Sequence, residues 1–252
     1  MISRSTIQLV RSLERKKGRL ETGLFVAEGS KCVGDLLGTF DCDTLIATSE
    51  WLRADAGRSP RPGRLLEVTD DELKRVSLMQ APQQVMALFR LPHYELTVRQ
   101  DDLYLALDDV QDPGNVGTII RLCDWFGITD LICSRATADA FAPKCVQATM
   151  GALARVRVHY TDLPHWLQAH ASLPLIGTTL DGSNIYDSTL PSKGIIVMGS
   201  EGHGLSQDTL RLLSQRLYIP NFPQGRLTSE SLNVAVATAI TLAEFRRRQA
   251  AG

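Results

Sequence analysis

The second half of the chain alternates short apolar runs with amphipathic stretches. Apolar runs of strand length occur at 103–107, 130–133, 155–158, 174–178, 195–198 and 217–219. Residues with helical spacing lie between most of them, at 116–126, 143–153, 162–170 and 206–213, and a final helix is predicted over 231–248. Short apolar strands that alternate with helices predict an α/β fold with a mostly parallel sheet, covered on both faces.

The first ninety or so residues show a less regular α/β pattern. Helices are predicted around 7–13, 30–40 and 70–78, and strands at 24–29, 44–48 and 84–90. The segment 91–102 (LPHYELTVRQDD) is polar and weakly patterned, which is typical of a linker. We therefore predict two domains, 1–94 and 95–252, both of ordinary size.

Composition narrows the class of protein. Of the 252 residues, 44% are apolar and 22% are charged, the profile of an ordinary globular chain. No apolar run approaches the length of a membrane span and the first residues lack a signal-peptide core, so we expect a cytoplasmic protein with no membrane partner. The five cysteines form no C-x-x-C pair and leave one over, which favours reduced thiols and predicts no metal site.

The net charge of −1 hides an uneven distribution. Residues 1–31 hold seven basic and three acidic residues, a balance of +4. Residues 51–64 hold four arginines and one aspartate, a balance of +3. Such a basic region suits a polyanion partner, although an ordinary solvated surface explains the charge alone equally well.

Three loops that follow predicted strands carry the candidate chemistry, because ligands of parallel sheets bind beyond the carboxyl ends of strands. The first loop reads LDDVQDPGNVGTIIR, with Asn115 at the expected helix N-cap and Arg121 six residues on. Its G-N-V-G lacks the third glycine of a dinucleotide-binding loop, which argues against a dehydrogenase. Taken alone, a simple cap and a surface charge remain the alternative for these two residues.

The second loop is GIIVMGSEGHGL, residues 194–205. Its three glycines allow backbone to approach a ligand closely. Glu201 would repel a phosphate, so it suits the orientation of an arginine or of a cationic ligand instead. A glycine-rich turn with an exposed glutamate is the alternative.

The third loop leads from a strand to Ser231-Leu232-Asn233 at the head of the final helix. Capping explains most serines and asparagines in such positions. The next six residues, VAVATA at 234–239, are small, so another stretch of backbone could pass close to this helix.

In this order, the three loops resemble the signature motifs of the SpoU (TrmH-type) family of RNA ribose 2′-O-methyltransferases, within the SPOUT superfamily. The resemblance covers about 103–248, and the motif residues are Asn115, Arg121, Gly199, Glu201, Ser231, Leu232 and Asn233. The first half is similar to the substrate-binding domain that often precedes this catalytic domain, with a ribosomal-protein-like fold. One departure is the longer stretch between Ile219-Pro220 and Ser231, which leaves the role of 221–230 open.

The resemblance implies a C-terminal α/β-knot domain, a homodimer with the active site near its interface, and S-adenosyl-L-methionine as cofactor. The implied reaction is methyl transfer to a ribose 2′-hydroxyl of structured RNA, with ribosomal RNA favoured over transfer RNA. A non-catalytic RNA-binding protein that retains the fold is the alternative.

Roles for individual residues follow from the same resemblance and from the charge distribution. The expected catalytic residues are Arg121, Asn115, Glu201, Ser231 and Asn233. The expected cofactor-binding residues are Thr178, Thr179, Gly199, Ile219 and Leu232. The expected RNA-binding residues are Arg4, Arg11, Lys16, Lys17 and Arg19. Because a guanidinium stays protonated below a pH of about 12, we expect Arg121 to orient and stabilise rather than to act as a base.

Overall fold

The computed structural model describes residues 2–55, 62–223, 226–227 and 229–251. These residues form the strands β1 (Leu24–Glu28), β2 (Cys42–Thr48), β3 (Arg64–Val68), β4 (Val85–Arg90), β5 (Leu103–Asp108), β6 (Asp130–Ser134), β7 (Arg157–Thr161), β8 (Leu175–Asn184), β9 (Gly194–Gly199) and β10 (Gln215–Tyr218). The α-helices are α1 (Arg4–Ser12), α2 (Lys16–Thr22), α3 (Ser30–Leu37), α4 (Ser49–Asp55), α5 (Asp70–Val76), α6 (Pro113–Trp125), α7 (Pro143–Thr149), α8 (Leu163–Ala169), α9 (Gln207–Leu212) and α10 (Val234–Ala251). A short 3₁₀ turn follows α7 at Ala152–Ala154.

The chain forms two compact units. The first comprises residues 1–93 together with 139–155, and the second comprises residues 94–138 and 156–252. The segment 139–155, which contains α7, therefore packs with the first unit although its neighbours in the sequence belong to the second.

The first unit contains a four-stranded sheet of order β1-β4-β2-β3. β4 pairs antiparallel with both β1 and β2, and β3 pairs parallel with β2. Apolar side chains of α1, α5 and the strands form one core, which includes Val10, Leu13, Ile46, Val76 and Met86. The sheet thus buries the apolar positions that the sequence pattern assigned to its elements.

The second unit contains a six-stranded sheet of order β10-β8-β9-β5-β6-β7. Every neighbouring pair in it is parallel. All residues of β5 and β6 are buried, as expected for central strands covered on both faces. The predicted fold class, an α/β protein with a mostly parallel sheet, is confirmed.

Several predicted elements differ from the observed ones. The strand predicted at 155–158 lies at Arg157–Thr161, and α2, α4 and β3 were not predicted. The helix predicted over 143–153 ends at Thr149, because Met150 and Gly151 both adopt positive φ angles that an α-helix does not allow. Gly151 has no space for a side chain, since a Cβ there would lie 2.3 Å from the Asp35 carboxylate.

Candidate active site

A cavity of about 490 Å³ lies in the second unit, beyond the carboxyl ends of β9 and β10 and against residues 178–181 of β8. Its walls combine apolar side chains with the backbone of the loop that follows β9. All five predicted cofactor-binding residues line it: Thr178, Thr179, Gly199, Ile219 and Leu232. Its size lies within the range of about 300–1,000 Å³ for small-molecule sites.

The loop that follows β9, residues 199–206, folds back tightly on itself. Ser200 and Gly204 exchange two backbone hydrogen bonds, each of 3.0 Å. A Cβ on Gly199 would lie 2.2 Å from the carbonyl carbon of Gly204, so no other residue fits there without displacing backbone. Gly204 has a φ of +68°, a conformation that glycine adopts without strain. We call residues 199–206 the glycine loop.

The predicted N-cap of α6 was wrong by three residues. Asp112 is the cap, and its carboxylate accepts a hydrogen bond of 2.9 Å from the backbone N–H of Asn115. Pro113 occupies the first helical turn, where its missing N–H costs nothing. Asn115 therefore lies inside the helix, and its side chain is available for contacts outside it.

The side chain of Asn115 joins the three motifs. Its Nδ2 donates a short hydrogen bond to Oε1 of Glu201 in the glycine loop. Its Oδ1 accepts a hydrogen bond of 3.0 Å from Nδ2 of Asn233. These three residues, grouped by resemblance in the sequence, are joined by hydrogen bonds in the structure. We call Asn233, Asn115 and Glu201 the amide relay.

The direction of the hydrogen bonds in the amide relay is fixed at both of its ends. Oδ1 of Asn233 accepts from the backbone N–H groups of Ala235 and Val236 at 3.0 and 3.3 Å, so Asn233 caps α10. Backbone N–H groups can only donate and an ionised glutamate can only accept. Asn233 must therefore direct its NH₂ group toward Asn115, and Asn115 must direct its NH₂ group toward Glu201.

Arg121 lies farther along α6, on its exposed face. The hydrogen bonds of the amide relay do not involve it. Thr118 and Trp125 lie on the same exposed side of the helix, and 83% of the Trp125 surface is exposed. The guanidinium is thus accessible from solvent, and its expected place beside a reacting sugar stays a prediction.

Other residues of the cavity include one that was predicted and two that were missed. Ser231 lines the cavity, next to Leu232 at the head of α10. Asp181 and Arg216 also line it and form an ion pair of 3.1 Å, which was not predicted from the sequence. No local pattern marks these two residues, because they lie on separate strands and meet through the pairing of β8 with β10.

The predicted RNA-binding residues lie in the first unit. Arg4, Arg11, Lys16 and Lys17 are exposed on α1 and α2. Of the predicted basic stretch 51–64, residues 56–61 lie outside the described residues.

Arg19 was wrongly predicted as an RNA-binding residue. Only 3% of its surface is exposed. Its Nη2 binds the Asp139 carboxylate at 2.6 Å, and its Nη1 donates to the carbonyl oxygens of Leu13 and Glu14 at 2.7 and 3.1 Å. These bonds use the guanidinium inside the first unit, so it is not available to a polyanion.

Two further features concern membranes and metal ions, and both statements are limited to the described residues. No helix in that part of the chain is long and apolar enough to cross a bilayer. No three His, Cys, Asp or Glu side chains of those residues converge as metal ligands would.

Two known protein families match separate parts of the chain. The SpoU rRNA Methylase family matches residues 102–243, and the MRM3-like substrate binding domain matches residues 4–87. The chain is 30% identical over 243 residues to the 23S rRNA (guanosine(2553)-2′-O)-methyltransferase RlmP of Bacillus subtilis, with 94% of each protein covered.

Solved structures show the same relationship. A TrmH-family candidate RNA methyltransferase from Porphyromonas gingivalis superposes with a TM-score of 0.89 at 42% identity, covering 98% of this chain and 99% of that one. The SpoU methyltransferase AviRb from Streptomyces viridochromogenes, in complex with AdoMet, superposes with a TM-score of 0.86 at 25% identity over the full length of both chains. The matches extend over both halves of the sequence, and the matched catalytic region holds the cavity and the amide relay. The chain belongs to the SpoU rRNA Methylase family.

Proposed function

We propose that this protein transfers a methyl group from S-adenosyl-L-methionine to a ribose 2′-hydroxyl of ribosomal RNA. The single observation that carries the proposal is the amide relay, which links three family motifs, and residues of the second and third of these motifs also line one cavity. Relatives that match over most of their length are 2′-O-methyltransferases of 23S rRNA by name, which supports ribosomal RNA over transfer RNA.

The cavity fits S-adenosyl-L-methionine in size and in chemistry. Gly202 and Gly204 line it, and a Cβ at either would meet nothing within 4 Å, so their backbone is open to a ligand. The carboxylate of Glu201 lies in the wall, where it favours a ligand with positive charge, whereas the charge of Asp181 is offset by its ion pair with Arg216. Apolar side chains such as Leu217 and Ile219 provide the surface that an adenine requires.

Bound S-adenosyl-L-methionine supplies an electrophilic methyl group for in-line displacement by the ribose oxygen. The residues of this chain must hold that oxygen in line and stabilise the negative charge that develops on it. Arg121 supplies a permanent positive charge and a planar set of donors, which suits a phosphate or an alkoxide. Asn115, Glu201 and Asn233 hold the loops in register, and Ser231 is a hydroxyl close enough to the cavity to accept or pass on a proton.

A homodimer is part of the proposal. Trp125 is a large apolar side chain with 83% of its surface exposed, and it lies one turn beyond Arg121 on α6. Tryptophan is enriched at protein–protein interfaces, and an interface there would cover Arg121 as well. Analytical ultracentrifugation of wild type and Trp125→Glu tests this part, and an unchanged sedimentation coefficient would exclude Trp125 from the interface.

The first domain, residues 1–94, binds the RNA backbone through Arg4, Arg11, Lys16 and Lys17. The second domain, residues 95–252, carries out the methyl transfer. The reaction takes place in the cytoplasm. Such contacts with phosphates are sequence-independent and weaken as salt is added. The choice of nucleotide then depends on RNA shape and on unpaired bases.

The test is methyl transfer in vitro to ribosomal RNA, with the modified nucleotide mapped as a 2′-O-methyl. Arg121→Ala should abolish transfer while the dissociation constant for S-adenosyl-L-methionine stays within about twofold of wild type. Replacing the target ribose with deoxyribose should also stop the reaction. Transfer that continues on the deoxyribose substrate would place the methyl group on a base and refute the proposal.

A further inference from the structure

Two consecutive aspartates lie at the end of β5, Asp108 in the strand and Asp109 directly after it, and the chemistry proposed above uses neither of them. Asp108 is the last residue of the strand, and only 3% of its surface is exposed. Burying a carboxylate costs free energy unless it accepts hydrogen bonds, so the hydrogen-bond partner of Asp108 indicates its structural role. That partner is the backbone N–H of Ser206, which donates to Oδ2 of Asp108 at 2.8 Å.

Ser206 is the last residue of the glycine loop. It caps α9, with its own hydroxyl accepting a hydrogen bond from the backbone N–H of Thr209 at 3.3 Å. The first residue of the same loop, Gly199, lies opposite Asp108 in the pairing of β9 with β5. Asp108 therefore lies beside one end of the glycine loop in the sheet and binds its other end through its carboxylate.

The two aspartates serve different parts of the structure. Asp109 adopts a positive φ of 58°, unusual for a residue other than glycine. Its Oδ1 accepts from the Ser134 hydroxyl at 2.6 Å, and its backbone N–H donates to the same hydroxyl at 3.0 Å. Because the chain turns sharply at Asp109, its side chain binds β6, whereas that of Asp108 binds the end of the glycine loop.

We propose that Asp108 is a positioning residue for the cofactor: its carboxylate closes the glycine loop and so fixes the wall of the cavity formed by residues 199–205. This inference rests on the proposed function, because it assumes that the cavity binds S-adenosyl-L-methionine. The loop also carries Glu201, so the same carboxylate sets the position at which the amide relay ends.

The experiment compares wild type with Asp108→Ala and Asp108→Asn. Calorimetry measures the affinity for S-adenosyl-L-methionine, and hydrogen exchange of the unliganded protein measures the protection of peptides covering 199–206. Asp108→Ala should raise the dissociation constant about tenfold or more, the equivalent of about 1.4 kcal/mol, and speed exchange in those peptides. Asp108→Asn retains an acceptor for the Ser206 N–H, so it should recover much of the affinity and of the protection.

Asp130→Asn is the matched control. Asp130 is also a buried carboxylate on a strand of the same sheet, but it is the first residue of β6 and so lies at the amino ends of the strands, away from the glycine loop. It pairs with Arg157 at 2.6 Å. This variant should lower the melting temperature and leave the dissociation constant within about twofold of wild type.

The outcomes separate the role of Asp108 from the proposed function. If Asp108→Ala binds the cofactor as wild type does, or if Asp130→Asn weakens binding equally, the role of Asp108 is refuted. If Asp108→Ala does not fold, the decision rests on Asp108→Asn. If that variant binds the cofactor poorly although residues 199–206 exchange as in wild type, the role of Asp108 is also refuted. If wild type itself does not bind S-adenosyl-L-methionine, the proposed function fails, and the exchange measurement still tests whether Asp108 closes the loop.

Discussion

Asn233 has two separable tasks in this structure, and two substitutions distinguish them. Its Oδ1 caps α10, and its Nδ2 donates to Asn115 in the amide relay. Asn233→Asp keeps an oxygen for the cap, since aspartate and asparagine are about equally good there, but it replaces the donor with an acceptor. Asn233→Ala removes both the cap and the donor.

The magnitudes follow from these bonds. Loss of the cap should cost about 1 kcal/mol of stability, which only Asn233→Ala should show. In the aspartate variant, the new carboxylate faces the Oδ1 of Asn115, so a hydrogen bond is lost and two acceptors oppose each other. Because this contact is exposed, water satisfies the separated groups in the free protein and the stability changes little. Restoring their alignment for methyl transfer should cost about 1.5–3 kcal/mol, or roughly 10- to 150-fold in kcat/KM.

Two assays test the reasoning. Denaturant unfolding should give the same stability for Asn233→Asp and wild type within about 0.5 kcal/mol, and a lower value for Asn233→Ala. Steady-state methylation should show a large loss for both variants. If Asn233→Asp methylates RNA at the wild-type rate, Asn233 acts as a helix cap alone and the amide relay has no catalytic role.

Three further predictions concern stability and RNA binding. Asp139→Ala should cost about 3 kcal/mol or more in unfolding measurements, because it leaves the buried guanidinium of Arg19 without its carboxylate. Hydrogen bonds from two arginines of α10 hold the pKa of Glu244 at about 2, below its usual 4.5; its contribution to stability should be complete above about pH 4.5 and be lost as the pH falls toward 2. Reversing the charge of Lys16 and Lys17 together should weaken RNA binding, with the largest loss at low salt, as measured by filter binding over a salt series.

Matched variants serve as controls for these predictions. Asp139→Asn keeps an acceptor and should be less destabilising than Asp139→Ala; equal losses would mean that the negative charge, which both variants remove, accounts for the whole effect. Glu244→Gln should flatten the acid dependence of unfolding, and an unchanged dependence would assign it to other groups. Lys74→Glu reverses a charge on α5 of the same unit, and if it weakens RNA binding as much as the double variant does, the effect is one of net charge.

The sequence predicted the parallel sheet and the identity of the motif residues, but not the bonds between them. Apolar runs mark buried strands directly, which is why all six strands of the second unit were found. The cap of α6 was misassigned to Asn115 although the sequence carries its signal, since Asp112-Pro113 places a capping side chain before a proline suited to the first turn. Arg19 was misread for a different reason: Asp139 lies 120 positions away, and no local pattern reveals such a contact.

The topology explains why motifs so far apart in the sequence meet. From β5 the chain continues to β6 and β7 on one side of the sheet, while β8, β9 and β10 lie on the other side. The order of strands therefore reverses between β5 and β9, and the loops that leave these two neighbours diverge, which opens a crevice at their carboxyl ends. Asn115 follows β5 and Glu201 follows β9, so their contact spans this crevice, and the head of α10 reaches it after β10. The parallel order thus brings the three motifs to one edge, and the side chains of the amide relay and of Asp108 determine how closely they align.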